Sequence, residues 1–156
     1  MTYRVSVLAV LAILGSAGVA RAQAAPDEAS LKLAHETVIK AVTSANLTVL
    51  QAMIHPRASG FFRSSQQPVL LGSGVTAADI LPTLMTDLGT FAAITTTSTG
   101  YRAVGPIGVV TVTVFQKRKS SEKGPDLYVR GTYVYGWDEG SWKLVSWHGS
   151  DTPVKK

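Results

Sequence analysis

The sequence predicts an α+β domain, with helices first and a mainly antiparallel sheet afterwards. Three observations carry that reading. Before Gly89, apolar residues recur at helical spacing in three segments. After Gly89 the chain turns to long stretches of threonine, valine and aromatic residues, the composition of strands. Turn signals separate those stretches, most clearly Asp138-Glu139-Gly140 between two tryptophans.

Residues 1–22 stand apart. Met1 to Arg4 is a short positive start, Val5 to Leu14 is almost entirely apolar, Gly15-Ser16 breaks the run, and Ala20-Arg21-Ala22 supplies small residues at signal-peptidase spacing. That is the three-part layout of a secretory signal. An apolar run of about 10 residues is short of the ~20 that span a bilayer. Residues 1–22 are therefore expected to be a signal peptide, with a second possible cleavage site at Ala22-Gln23-Ala24. Residues 23–156 form one domain, periplasmic or secreted, without membrane association after cleavage.

Removing 22 residues from 156 leaves 134, enough for one core. Arg4 and Arg21 leave with them, so 15 basic residues become 13 against 10 acids and the net charge falls from +5 to +3. So mild and scattered a charge argues against nucleic acid. The chain has no cysteine. An exported domain without disulfides must be held by packing or by a dimer, and thiol catalysis and cysteine-based zinc sites are excluded.

The first helix starts at Pro26-Asp27-Glu28, where acids meet the positive end of the dipole, and its stripe is Leu31, Ala34, Val38, Ala41, Val42 and Ala45. His35 lies beside the stripe, one turn after Leu31, and reads as a half-buried structural histidine. Asn46 breaks the pattern, and a second short helix over Leu47–Ile54 is stopped by His55-Pro56. Phe61-Phe62 and Val69-Leu70-Leu71 read as two short strands around the turn Ser64-Ser65-Gln66-Gln67-Pro68, and Gly72-Ser73-Gly74 ends the second. Thr76 caps a third helix through Ala77, Ile80, Leu81, Leu84, Met85 and Leu88, which Pro82 should kink or divide. Four strands follow, Phe91–Val104, Val109–Gln116, Leu127–Trp137 and Trp142–Ser150. Lys117-Arg118-Lys119 begins a solvated hairpin loop.

The last hairpin defines two faces. A type I turn with a glycine bulge sets Trp137 opposite Ser141, Val134 opposite Leu144, Thr132 opposite Ser146 and Arg130 opposite His148. Alternation then places Leu127, Val129, Tyr133, Tyr135, Val145 and Trp147 toward the helices. Tyr128, Arg130, Thr132, Ser146 and His148, with Val134, Trp142 and Leu144, face a partner subunit or water. One added bulge would exchange the faces.

GTYVYGWDEGSWKLVSWHGSDTP resembles the closing hairpin of the nuclear transport factor 2-like superfamily. The pattern is nearest to SnoaL-like and DUF4440-type domains and to the association domain of calcium/calmodulin-dependent kinase. Those families end in Trp-basic-x-Val-x-x-His-x-Ser, here Trp142 to Ser150. Ala45-Asn46-Leu47 stands where they carry a Gly-Asp-Leu-like step. The resemblance implies a cone: three N-terminal helices on a strongly curved, mainly antiparallel sheet, enclosing a pocket and commonly forming a homodimer through the sheet face. It implies no single function, because members include isomerases, cyclases, dehydratases, transport factors and assembly hubs.

Enzymes of this kind use an inward carboxylate or histidine as base and hydroxyl donors to steady an enolate. Here Asp27, Glu28, Glu122, Asp126, Asp138 and Glu139 fall at helix starts or in turns, Asp79 and Asp87 on the third helix, and Asp151 at the chain's end. The cavity cations of the kinase hub match Thr113, Tyr133 and Gly149, none of them basic. The three histidines have no paired metal spacing, and Gly72-Ser73-Gly74 lacks the lysine of a phosphate loop. Ser150 and His148, two apart on one strand, suggest no nucleophile pair. No metal or cofactor is called for.

What remains is a pocket for a small, largely apolar ligand, with Tyr133, Tyr135 and Trp147 on its wall and Tyr101 at its rim. Arg102 beside Tyr101 reads as an exposed strand residue. Two alternatives stay open. One is an isomerase, cyclase or dehydratase whose base is His35 or His148, with Tyr133 or Tyr135 as donor. The other is a dimeric assembly module with a filled core.

Overall fold

A computed structural model of the chain describes residues 26–61, 67–73 and 75–154. The expected signal peptide, Phe62, Ser64 to Gln66 and Gly74 lie outside the described residues. The elements are α1 (Glu28–Thr43), α2 (Leu47–Met53), β1 (Ile54–Phe61), β2 (Val69–Leu70), α3 (Ala77–Gly89), β3 (Phe91–Val104), β4 (Ile107–Arg118), β5 (Leu127–Asp138) and β6 (Ser141–Pro153). The strands form one sheet in the order β2-β1-β6-β5-β4-β3. Its pairings are antiparallel except β1 with β6, so the sheet is mixed. The helices-first α+β order is as the sequence predicts.

Asp27 caps α1 through a reciprocal pair: its carboxylate accepts from Ser30 N–H at 2.7 Å, and Ser30 Oγ accepts from Asp27 N–H at 3.1 Å. The bond from the Ser30 amide, helped by the Ser30 side chain, holds the Asp27 carboxyl below its usual range. The buried face of α1 is Leu31, Ala34, His35, Val38 and Ala41. Asn46 caps α2 by accepting from Val49 N–H.

Two features of the first half differ from expectation. The second helix ends at Met53, because Ile54 is already extended and pairs with Leu144. His55-Pro56 therefore belongs to a strand that starts seven residues before Phe61, and proline is tolerated there because it stands near the strand's beginning. Pro82 does not divide α3, which runs unbroken from Ala77 to Gly89. Proline in the second turn forfeits only the ladder bond to the Ala78 carbonyl, and Ile80 and Leu81 are buried on the adjacent turn. Thr76 sits at the helix start as expected, donating through N–H and Oγ1 to the Asp79 carboxylate, 2.7 Å each.

The last hairpin corrects the face assignment at one place. Glu139 (φ 47°) and Gly140 (φ 79°) both have positive φ and make a two-residue turn of the type that suits twisted strands, so Asp138 pairs with Ser141 and Trp137 with Trp142. A bulge at Val145 then shifts the register, and Val134 pairs with Ser146, Tyr133 with Trp147 and Thr132 with His148. Side-chain parity changes at Val145. Trp142 and Leu144, expected on the outer face, therefore turn inward and are 2% and 4% exposed. Tyr133, Tyr135 and Trp147 keep their inward sense.

One end of this inner face is packed solid. Leu31, Val110, Tyr135 and Trp142 are buried there. A Cβ on Gly108 would lie 2.6 Å from Leu31 Cδ1, so only glycine lets α1 come this close to β4. The Trp142 indole donates to Ser30 Oγ at 3.0 Å and meets Trp137 edge-on at 5.2 Å.

Candidate functional site

Farther along the same strands the layers part. Between α1, α3 and the inner sheet face lies a hollow of about 780 Å³. Its walls include Val38 and Val42 of α1, Ile80, Leu84 and Leu88 of α3, and Val112, Val114 and Val129 of the sheet. Gly131 lies in the same inward row, where a Cβ would come within 2.9 Å of Val112 Cγ2 and 3.0 Å of the Tyr133 ring. Volume and lining suit a small organic molecule.

The polar residue of this wall that meets the tyrosines is His35; the buried Gln116 and the threonines Thr96 and Thr99 also border the hollow. His35 is 4% exposed, and its Nδ1 lies 2.9 Å from the Tyr135 hydroxyl. Three tyrosine rings surround it: Tyr133 at 4.9 Å, Tyr135 at 6.0 Å and Tyr101 at 6.3 Å between centroids. Burial lowers the imidazole pKa below 6.5, opposed by the nearby Glu36 carboxylate, and the ring is neutral at pH 7. Burial raises the phenols of Tyr133 and Tyr135, so both keep their protons.

Of the residues expected to meet a ligand, Tyr101, Tyr133 and Trp147 border the hollow. Tyr135 stands behind the imidazole, fully buried and reaching the hollow only through His35. His35 is more deeply buried than the half-buried reading allowed. His148 is exposed at the other side of the hollow, edge-on to Phe61 at 5.9 Å. Arg102 is exposed and pairs with Glu28 at 3.8 Å, which ties β3 to the start of α1.

The acids named from the sequence stand elsewhere. Asp27 and Asp79 cap helices, and Asp126 accepts from Arg118 N–H at 2.8 Å. Asp138 and Glu139 are exposed at the turn; the side chain of Asp87 lies outside what is described. Sequence reading passed over Glu36 and Lys40, which border the hollow from the exposed side of α1. The signal was present, since positions 36 and 40 flank the stripe next to His35. Of the three positions matched to the hub's cations, Tyr133 and Gly149 border the hollow, whereas Thr113 lines a shallow outer depression beside Arg130 and Thr132. Among the described residues, no three histidine, aspartate or glutamate side chains gather as metal ligands.

Known structures share this fold at low sequence identity. A candidate dehydratase of the NTF2-like family from Streptomyces avermitilis is 17% identical, with a TM-score of 0.59 over 83% of this chain and 97% of its own. A candidate ketosteroid isomerase from Shewanella frigidimarina is 14% identical, with a TM-score of 0.64 over 78% and 94%. The CaMKII hub of S. rosetta is 15% identical, with a TM-score of 0.61 over 83% and 99%. No family model and no curated protein matches the sequence. The chain has the NTF2-like fold. That fold carries many unrelated functions.

Proposed function

We propose that the chain holds a small, largely apolar molecule in the hollow between α1, α3 and the sheet. The observation that carries this is a largely apolar hollow of about 780 Å³ in which His35 and Tyr133 stand together on the wall. Tyr101 and Trp147 would flank the ligand, and Tyr135 would fix the imidazole from behind. The proposal takes the sheet as the strongly curved wall of a cone, which bulges or register shifts in three of its pairings support, because bulges bend strands. It also takes residues 1–22 as a secretory signal, and hence a periplasmic or secreted site of action. Mass spectrometry of the exported protein tests that part; a chain retaining Met1 outside the cytoplasm counts against it.

Thermal shift with a panel of apolar and aromatic compounds tests the binding site. A ligand at a hundred times its Kd should stabilise the fold by about 2.7 kcal/mol. Val114→Phe, which places a ring in the hollow, should abolish the shift. No shift with any compound, together with a large loss of stability in Val114→Phe, would sink the reading.

The putting of a neutral histidine on the wall favours one second reading, an isomerase, cyclase or dehydratase with His35 as base. The Streptomyces and Shewanella proteins give that reading precedents in fold. A third reading, an assembly module, uses the outer face, where Arg130 and Thr132 are exposed, as the seat of a second copy. Light scattering separates it: a strict monomer at micromolar concentration removes the dimer. Arg130→Glu is the variant for that face. Trp142 is buried in the core and would report folding instead.

A further inference from the structure

The geometry points to a ligand anchored by an uncharged carbonyl oxygen, because His35 and Tyr133 both present hydrogen-bond donors to the hollow. This inference rests on the reading of the hollow as a binding site and names the chemistry that site would select.

It follows from an account of protons. Tyr135 is fully buried, and among the described residues its hydroxyl has one partner, His35 Nδ1 at 2.9 Å. A phenol carries one proton, and in a buried place that proton needs an acceptor. If Nδ1–H donated to the phenol oxygen, the phenol proton would be left buried without an acceptor, which is the costly arrangement. If the phenol donates to Nδ1, both atoms are satisfied. The neutral imidazole then carries its single proton on Nε2. That nitrogen has no hydrogen-bond partner among the described residues, and the ring borders the hollow.

Tyr133 supplies the second donor. Its ring lies 4.9 Å from that of His35 and borders the hollow, and its hydroxyl has no hydrogen-bond partner among the described residues. With the two rings 4.9 Å apart on one wall, an N–H and an O–H from them fit the two lone pairs of one carbonyl oxygen, as in a ketone, lactone or quinone. A hydrocarbon would leave both donors dry. An amine would meet donor against donor. A carboxylate would bring its charge toward Glu36, which borders the same hollow, with Lys40 on the exposed side of α1 as the cation there. The same tautomer limits the enzymatic reading: with Nδ1 accepting from Tyr135 and Nε2 protonated, the resting imidazole has no free lone pair with which to act as a base.

Two measurements on the full chain test this. Nitrogen-15 NMR of the histidine rings at neutral pH should show His35 with Nδ1 unprotonated and Nε2 protonated; a proton on Nδ1 overturns the inference. Calorimetry should then compare a matched pair of probes, acetylnaphthalene and ethylnaphthalene. The ketone should bind about tenfold more tightly than the hydrocarbon, and Tyr133→Phe, whose melting curve checks its folding, should cut that advantage to about threefold. Equal affinities would overturn the carbonyl assignment and leave the hollow standing as a binding site. Binding of neither probe would remove both.

Discussion

The two ends of the inner sheet face are built from the same strands and the same first helix, yet one is solid and the other hollow. At the solid end α1 presents Leu31, which lies against Gly108 and Trp142 with no space for a methyl group. At the hollow end it presents Val38 and Val42, and the sheet answers with Val112, Val114 and Val129, none long enough to meet them. Alternation along the strands is alike in both halves, so side-chain size and one bulge decide which half is core and which is cavity. His35 and Tyr135 stand at the boundary, where burial is deep enough to demand hydrogen-bond partners and the space beyond is still open.

Substitutions at the solid end should cost the most. Trp142→Ala removes a ring that is 2% exposed and strips Ser30 of the indole donor, and should lower unfolding stability by about 3–5 kcal/mol in urea titration. A loss below about 1 kcal/mol would mean that the two ends are not packed differently. At the boundary, Tyr135→Phe leaves His35 Nδ1 without its buried partner and should cost about 1–3 kcal/mol, measured in the same way.

The pH dependence sharpens the boundary further. The folded imidazole has its pKa below the ordinary 6.5, so between those two values the unfolded chain binds more protons than the folded one. The contribution of His35 to stability is therefore complete above pH 6.5 and is lost as the pH falls toward the folded pKa. The groups around the ring, Tyr101, Tyr133 and Tyr135, keep their protons throughout that window, which leaves Glu36 as the charge that opposes the shift. Melting temperature should fall on acidification below 6.5, and His35→Phe should flatten that slope. A slope unchanged in His35→Phe would place the titration elsewhere. The smallest effect belongs to the hollow end, where Val114→Phe should change stability by less than about 1.5 kcal/mol, since the added ring enters space that is already there. A larger loss would show the cavity wall to be tightly packed.

Much of the frame was legible in the sequence, and the reasons are local. The α1 stripe from Leu31 to Ala41 is one uninterrupted helical period, and the strands after Gly89 alternate strongly enough to show their inward rows. What was hidden depends on neighbours distant in the chain. Trp142 and Leu144 turned inward because of a bulge that no residue at Val145 announces. Ile54 left its helix because β6 offers it a parallel partner, and no periodicity predicts such a pairing. The candidate site was half visible: Tyr133 and Trp147 followed from strand parity, and Tyr101 was placed at the rim of the pocket. The bond between His35 and Tyr135 spans a sequence separation of 100 and emerges only once helix and sheet are packed together.

The distribution of indoles has a practical consequence. The chain has three tryptophans; Trp137 and Trp142 lie against each other at the solid end, and Trp147 alone among them borders the hollow. An aromatic occupant would quench the emission of Trp147 first, and a Trp147→Phe chain, still emitting from the other two, would be nearly blind to it. The protein thus carries an optical reporter within the wall itself, without any label.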